Sequence, residues 1–362
     1  RFLELAAGAS AAWATRARGQ TAPIVTPRVN GGVNVQPLRR LDFEFNEGNP
    51  VILPGLVEAQ LRAVYELGFD GIRVTAGYGD RANFLAAIPY VRAARALGID
   101  AIVVLSNFSG FQLARALWDE KTRGKVLKLY DTVLAAPPLP VRPGLGGLGP
   151  AGVGRIAFQV LNEPALFAGI PPEVYVREIL APCFTELRRL NPQILVVSAA
   201  EVGTLDGPPR LRAMMEAGLE NVIDRIAYHV YNPAIIPMLA PHVRNLVWVT
   251  ESGVAGTERH LAWVRDTFPA IRAGIEDASR IFFFVLYEDT PRRFRLVDIQ
   301  ADGAGGFRVR RESAELIDHF EQNVVRAARG APILPFATLV PDIRAYFPTV
   351  ADIALYDEVY FG

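Results

Sequence analysis

The chain has 362 residues, enough for a large buried core, and its 51% hydrophobic and 21% charged content is that of an ordinary globular protein. Its 38 basic and 38 acidic residues cancel, which removes the electrostatic case for a nucleic-acid or anionic-membrane partner and for an acidic solvating tail. Cys183 is the only cysteine, so an intrachain disulfide and a cysteine-built zinc site are excluded, and its apolar helical context predicts a buried, inert thiol.

Residues 1–22 open with Arg1-Phe2-Leu3 and run into a weakly apolar, Ala-rich stretch. They resemble the end of a twin-arginine export signal, so the expected location is periplasmic or secreted, or cytoplasmic if the segment is an ordinary N-terminal helix. The stretch is too short and Ala-rich to span a bilayer, and no later segment is long and apolar enough.

From residue 25 onward, short β-branched apolar runs alternate with longer segments of helical period, the pattern of parallel β/α architecture. The expected strands are 32–36, 71–75, 101–105, 156–161, 194–198, 225–229, 246–250 and 281–286. Eight parallel strands close a (β/α)₈ barrel, and a TIM barrel of this length is expected as a single catalytic domain over residues 23–328. Helices are expected at 56–65, ending at Gly68, at 82–96, ending at Leu97-Gly98, and at 173–190 behind Pro171-Pro172. The Pro/Gly-rich segment 135–154 reads as a loop entering the fourth strand from the face away from chemistry. An amphipathic closing helix is expected over 309–328, followed by a tail, 329–362, whose aromatic residues should pack on the barrel's outside.

Active sites of such barrels are built at the C-terminal ends of the strands. The fourth strand runs into Asn162-Glu163-Pro164 and the seventh into Glu251-Ser252-Gly253, one carboxylate at each mouth. A carboxylate that ends an apolar strand is desolvated and needs a reason to be there. Glycoside hydrolysis supplies one, since it requires one carboxyl to protonate the leaving oxygen and a second, ionised, to attack the anomeric carbon or activate water. Arg73, inside the apolar second strand, needs an ionised partner that a barrel-mouth carboxylate would provide. His229 and Tyr231, two residues apart at the end of the sixth strand, share one face. Tyr287, before Glu288 and Asp289 at the end of the eighth strand, is placed to stack on a sugar ring or to stand at the rim.

Together these strand ends resemble clan A of the glycoside hydrolases, most closely the family 5 cellulase-like group, over residues 23–328. The resemblance implies a retaining O-glycosyl hydrolase with Glu163 as acid/base and Glu251 as nucleophile. It further implies Asn162 bonding the sugar 2-hydroxyl, Arg73 and Tyr231 holding Glu251 ionised and oriented, and His229 lining the subsite at the scissile bond. Two strand ends depart from the group. The third reads Leu105-Ser106-Asn107-Phe108 where a His is usual, leaving Asn107 to bond a hydroxyl, and the eighth offers Tyr287 where a Trp is usual. The ending Tyr287-Glu288-Asp289 is also similar to some members of family 39.

The substrate so implied is a β-linked oligo- or polysaccharide, and the chemistry requires no metal or organic cofactor. A metal-dependent barrel hydrolase would need clustered ligands early in the chain, whereas the histidines are His229, His242, His260 and His319. The alternative is a non-catalytic carbohydrate-binding barrel derived from such an enzyme, which the altered third and eighth strand ends keep open.

Overall fold

Apolar runs that are buried on both faces can only pair in parallel beneath a layer of helices. That is their arrangement in the computed structural model, which describes residues 29–35, 43–46, 49–67, 69–106, 111–136, 154–239, 246–275, 278–286, 294–303, 306–311 and 335–362. The strands in chain order are β1 (Val29–Val35), β2 (Phe43–Asn46), β3 (Asn49–Ile52), β4 (Phe69–Gly77), β5 (Asp100–Ser106) and β6 (Ile156–Val160). They continue with β7 (Leu195–Val197), β8 (Arg225–Val230), β9 (Leu246–Ser252), β10 (Ala278–Phe283), β11 (Val297–Ala301) and β12 (Phe307–Arg311). β1 and β4 to β10 form a closed barrel in chain order, with β10 returning to β1 and every neighbouring pair parallel. These are the eight expected strands, and the fold is the expected (β/α)₈ barrel.

The helices form where sequence starts and stops them. Pro54 opens Pro54–Glu66, which buries Leu56, Val57, Leu61 and Val64. Asp80 caps Arg81–Ala96 by accepting from the Asn83 N–H, and Gly98, at φ 72°, turns the chain out of it. Pro172–Val174 runs through a π-helical stretch, Tyr175–Leu180, into Ala181–Leu190, which buries Cys183. Burial pushes that thiol up to about 12, as suits an inert core residue.

Inside the barrel, Ile102, Ala157, Val197, Ala200, Ala227, Trp248 and Phe282 make a core of their own. Gly32 is required there, because a Cβ would lie 2.2 Å from the Phe282 ring. At the N-terminal pole, Arg225 and Arg280 stand over the Trp248 ring, and Arg280 also pairs with Asp70 and Asp100.

The seam between β6, β7 and β8 is held in an unusual way. β7 pairs with β8 at the single position Val197–Arg225, beside backbone bonds from Ser198 N–H to Arg225 O and from Asp224 N–H to Val196 O, and side chains add to them. The Ser198 hydroxyl accepts from Ala227 N–H at 3.0 Å, and the Asp224 carboxylate accepts from Val196 N–H at 2.7 Å. Buried Tyr175 donates its hydroxyl to Val160 O and accepts from Ala199 N–H, both at 2.7 Å, bracketing β6 to β7. Arg95 fixes the ends of the Pro/Gly-rich segment by donating to the carbonyls of Ala135, Ala136 and Gly154; residues 137–153 lie outside those described.

Two hairpins were not expected from the sequence. β2 and β3 pair antiparallel ahead of helix Pro54–Glu66, and β11 and β12 do so beyond β10. The second corrects the first three residues of the expected helix, 309–311. Residues 309–311 belong to β12, where Phe307-Arg308-Val309-Arg310 alternates apolar and basic, and Val309 pairs with Ile299. A period of two overrode the helical pattern at its start; residues 312–330 lie outside the described residues. So do residues 1–28. Residues 335–362 run along the outer helices. Tyr356 is buried against Phe84, Arg92 holds Asp352 with two hydrogen bonds, and Arg81 pairs with Asp357. Among the described residues, no helix is long and apolar enough to cross a membrane.

Candidate active site

β6 ends in a backbone contortion. Leu161 and Glu163 both lie in the left-handed region, at φ 65° and 42°, a conformation that costs a non-glycine residue roughly 1–2 kcal/mol. Neighbouring strand ends hold them there: Leu161 N–H donates to Leu105 O and Glu163 N–H to Ala200 O, both at 3.0 Å. Glu163 then precedes the short helix Pro164–Ala168, and its carboxyl Oε1 lies 2.8 Å from His229 Nδ1.

His229 is at the mouth of β8, 3% exposed, and its other ring nitrogen lies 3.6 Å from Oε1 of Glu251. Glu163 and Glu251, each 8% exposed, therefore face opposite nitrogens of one imidazole. The surroundings of the two carboxyls differ. Glu251 Oε1 accepts from Arg73 Nη1 at 2.6 Å and Oε2 from the Tyr231 hydroxyl at 2.7 Å. Burial alone would push the Glu251 carboxyl up. Electrostatic attraction to His229 and Arg73, with the Tyr231 and Arg73 hydrogen bonds, outweighs it and holds the group below the usual carboxylate range. The Tyr231 phenol is driven up by burial and by the charge on Glu251, so it stays a donor.

Arg73, on β4 and 4% exposed, organises the site. Besides Glu251 it donates through Nε to Gln159 Oε1 at 2.9 Å and through Nη2 to Asn162 Oδ1 at 2.7 Å. Gln159 returns the support by donating to Leu161 O and to Asn162 Oδ1. The Asn162 oxygen is thereby committed, which leaves its NH₂ group as the donor a ligand hydroxyl would meet. Gly203 makes room for Tyr231: a Cβ there would lie 2.8 Å from the Tyr231 ring. Half-buried Phe284 and Phe294 stand at 6.1 Å and 6.2 Å from Tyr231, edge to face, forming an aromatic wall beside Glu251's partner.

Of the residues expected at the site, Arg73, Asn162, Glu163, His229, Tyr231 and Glu251 come together in this network. Asn107 and Tyr287, with Glu288 and Asp289, lie outside the described residues. Sequence reasoning missed Gln159, Phe284, Phe294 and Glu201. Gln159 carried the same signal as Arg73, a polar side chain within an apolar strand. Glu201 follows β7 by four residues and carried none. Its carboxyl is 4% exposed, and neither oxygen has a hydrogen-bond partner among the described residues. Arg210, at 3.7 Å, is a neighbouring charge too distant for a hydrogen bond. Among the described residues, no group of three or more His, Cys, Asp or Glu side chains is arranged to hold a metal ion.

The closed parallel (β/α)₈ barrel is a fold the chain shares with solved glycoside hydrolases. Solved structures resemble it at low identity. The catalytic domain of GH30 xylanase C from Talaromyces cellulolyticus aligns with TM-score 0.54 and 13% identity, covering 84% of this chain and 77% of that one. The hyperthermostable endo-1,4-β-D-mannanase of Thermotoga petrophila aligns with TM-score 0.51 and 14% identity, over 82% of this chain and 99% of that one. A calcium-binding mutant of Bacteroides uniformis β-glucuronidase 2 aligns with TM-score 0.48 and 12% identity over 75% of this chain, which spans 33% of that protein. No protein-family model matches the chain, and no curated protein matches it by sequence.

Proposed function

We propose that the protein is a retaining glycoside hydrolase that cleaves O-glycosidic bonds of a β-linked glycan by double displacement. Glu251 attacks the anomeric carbon while Glu163 protonates the leaving oxygen, giving a covalent glycosyl-enzyme. Glu163, now a base, takes a proton from water, which attacks the same carbon and releases Glu251. One observation carries the reading: two carboxyls flank a single imidazole, and only Glu251 is gripped by an arginine and a tyrosine that keep it ionised. Asn162 NH₂ would meet a sugar hydroxyl, and Tyr231 keeps Glu251 turned toward the pocket. The same proposal places the enzyme in the periplasm or outside the cell, because residues 1–22 resemble the end of an export signal.

The test is a screen of chromogenic polysaccharides and aryl glycosides with the wild type, Glu163→Gln and Glu251→Gln. Hydrolysis by the wild type with retained anomeric configuration, lost in both variants while the fold persists, is expected. Near-wild-type activity in either variant overturns the assignment. Glycan binding with no release of reducing sugar points instead to a carbohydrate-binding barrel.

A further inference from the structure

We propose that Tyr175 is a positioning residue for Glu163: its buried hydroxyl ties β6 to the end of β7 where their backbone ladder stops, and so holds the left-handed backbone from which the acid/base carboxyl is aimed. The inference rests on Glu163 being the acid/base.

The last paired position of β6 and β7 is Gln159–Val197. Beyond it the Tyr175 hydroxyl stands between the two segments, donating to Val160 O and accepting from Ala199 N–H, each at 2.7 Å. The following link is made by Glu163 itself, whose N–H donates to Ala200 O at 3.0 Å. Tyr175 therefore grips the residue before Leu161 on one segment and the residue before Ala200 on the other. On the opposite flank Leu161 N–H donates to Leu105 O, also at 3.0 Å. Leu161 and Glu163, at φ 65° and 42°, keep a left-handed conformation that non-glycine residues hold only where their surroundings over-determine it.

Tyr175 is set into this joint by its own helix. It opens the π-helical stretch Tyr175–Leu180 between Pro172–Val174 and Ala181–Leu190, and such widened turns recur at functional sites. The side chain is fully buried. Burial pushes the phenol well up, so it stays neutral and can both donate and accept. Phenylalanine at 175 would fill the same space and leave Val160 O and Ala199 N–H short of a buried partner. The Glu163–Ala200 bond would lose its neighbouring tie, and the backbone could relax from φ 42°, turning the carboxyl off the leaving oxygen. A misplacement of about 1 Å can lower such a rate about a hundredfold.

The experiment compares kcat/KM, which reports the glycosylation step, for the wild type, Tyr175→Phe and Tyr130→Phe on aryl glycosides with poor and with dinitrophenyl leaving groups. Tyr130→Phe is the control, because it too removes a buried hydroxyl, one that donates to Ala76 O on β4 at 2.7 Å. On poor leaving groups Tyr175→Phe should fall about ten- to a hundredfold, and on dinitrophenyl glycosides, which need no proton, less than about twofold. Tyr130→Phe should lose the same factor on both. Equal losses across leaving groups in Tyr175→Phe overturn the inference, since destabilisation alone lowers both alike. A Tyr130→Phe that discriminates between leaving groups overturns it too.

A second measurement, amide hydrogen exchange, needs no substrate. Relative to the β5 amides, Glu163 N–H should exchange at least about tenfold faster in Tyr175→Phe and no faster in Tyr130→Phe, and an unchanged rate in Tyr175→Phe overturns the inference. If Tyr175→Phe does not fold, the wild type decides. Its Glu163 and Ala199 amides, opening as one unit, should show protection within about fivefold of each other, and a larger gap overturns the inference. Faster exchange at Glu163 in a protein that hydrolyses no glycoside supports the coupling and overturns the proposed reaction instead.

Discussion

Arg73 Nη1 lies 2.6 Å from Oε1 of Glu251, although 178 residues separate the two in sequence. The arginine is 4% exposed, so its charge is scarcely screened, and with His229 it favours the ionised form of a buried carboxylate. Arg73→Met should lower kcat/KM about a hundredfold and move the acidic limb of the pH profile upward, since loss of a cation raises carboxyl proton affinity. Stability should fall by about 3–5 kcal/mol at neutral pH. Because the folded Glu251 is held low, its contribution is full above 4.5 and is lost as pH falls through the folded value. The deficit of Arg73→Met should therefore shrink in acid, and urea titrations at pH 7 and pH 3.5 check it.

Tyr231 makes the other hydrogen bond to Glu251, at 2.7 Å. Tyr231→Phe keeps the ring against Phe284 and Phe294 and removes only the donor. We expect a loss of about tenfold in kcat, as for one charge-assisted hydrogen bond, with a smaller upward move of the acidic limb than for Arg73→Met. Steady-state kinetics on one aryl glycoside across pH measures both.

If Glu163 donates the proton to the leaving oxygen, its absence should matter least where no proton is needed. Glu163→Gln should lose about 10²- to 10⁴-fold on glycosides with poor leaving groups, and far less in the first step on dinitrophenyl glycosides. Pre-steady-state burst measurements separate the two steps. Equal losses across leaving groups would remove the acid role.

The Glu201 carboxyl, raised from the ordinary 4.5 to about 7, makes a prediction about folding that is independent of turnover. A group raised in the folded state gives its full contribution below 4.5 and loses it as pH rises toward 7. Glu201→Gln has no such loss. Relative to the wild type it should gain on the order of 1–3 kcal/mol between pH 4 and pH 8, read from denaturation midpoints at the two values.

Tyr175 brackets β6 to β7 through a hydroxyl that both donates and accepts. Tyr175→Phe leaves the Val160 carbonyl and the Ala199 N–H short of a buried partner. A loss of about 1–3 kcal/mol in urea denaturation is expected.

The barrel was legible because its strands are apolar runs bounded by turns, and burial on both faces leaves such runs few alternatives. Arg73 and Glu251 were legible for a related reason: a charge set in or at the end of an apolar strand must find a partner, and each found the other. Gln159 obeyed the same rule and was passed over because it is uncharged. Glu201 was not legible, since the segment Ser198-Ala199-Ala200 ahead of it carries no motif and only the folded chain brings it near Glu163. The β11–β12 hairpin escaped because Val309 fits a helical stripe and a strand alternation equally well, and pairing with Ile299 decided between them.

Between Glu163 and Glu251 run β7 and β8, and the β7–β8 seam is the stretch of the barrel least knitted by backbone pairing. Its gauge is set by a serine hydroxyl, an aspartate and a tyrosine. If the proposed chemistry holds, the spacing of the two groups decides whether water or a carboxylate attacks first, so the stereochemical outcome would answer to side chains remote from the bond being cut.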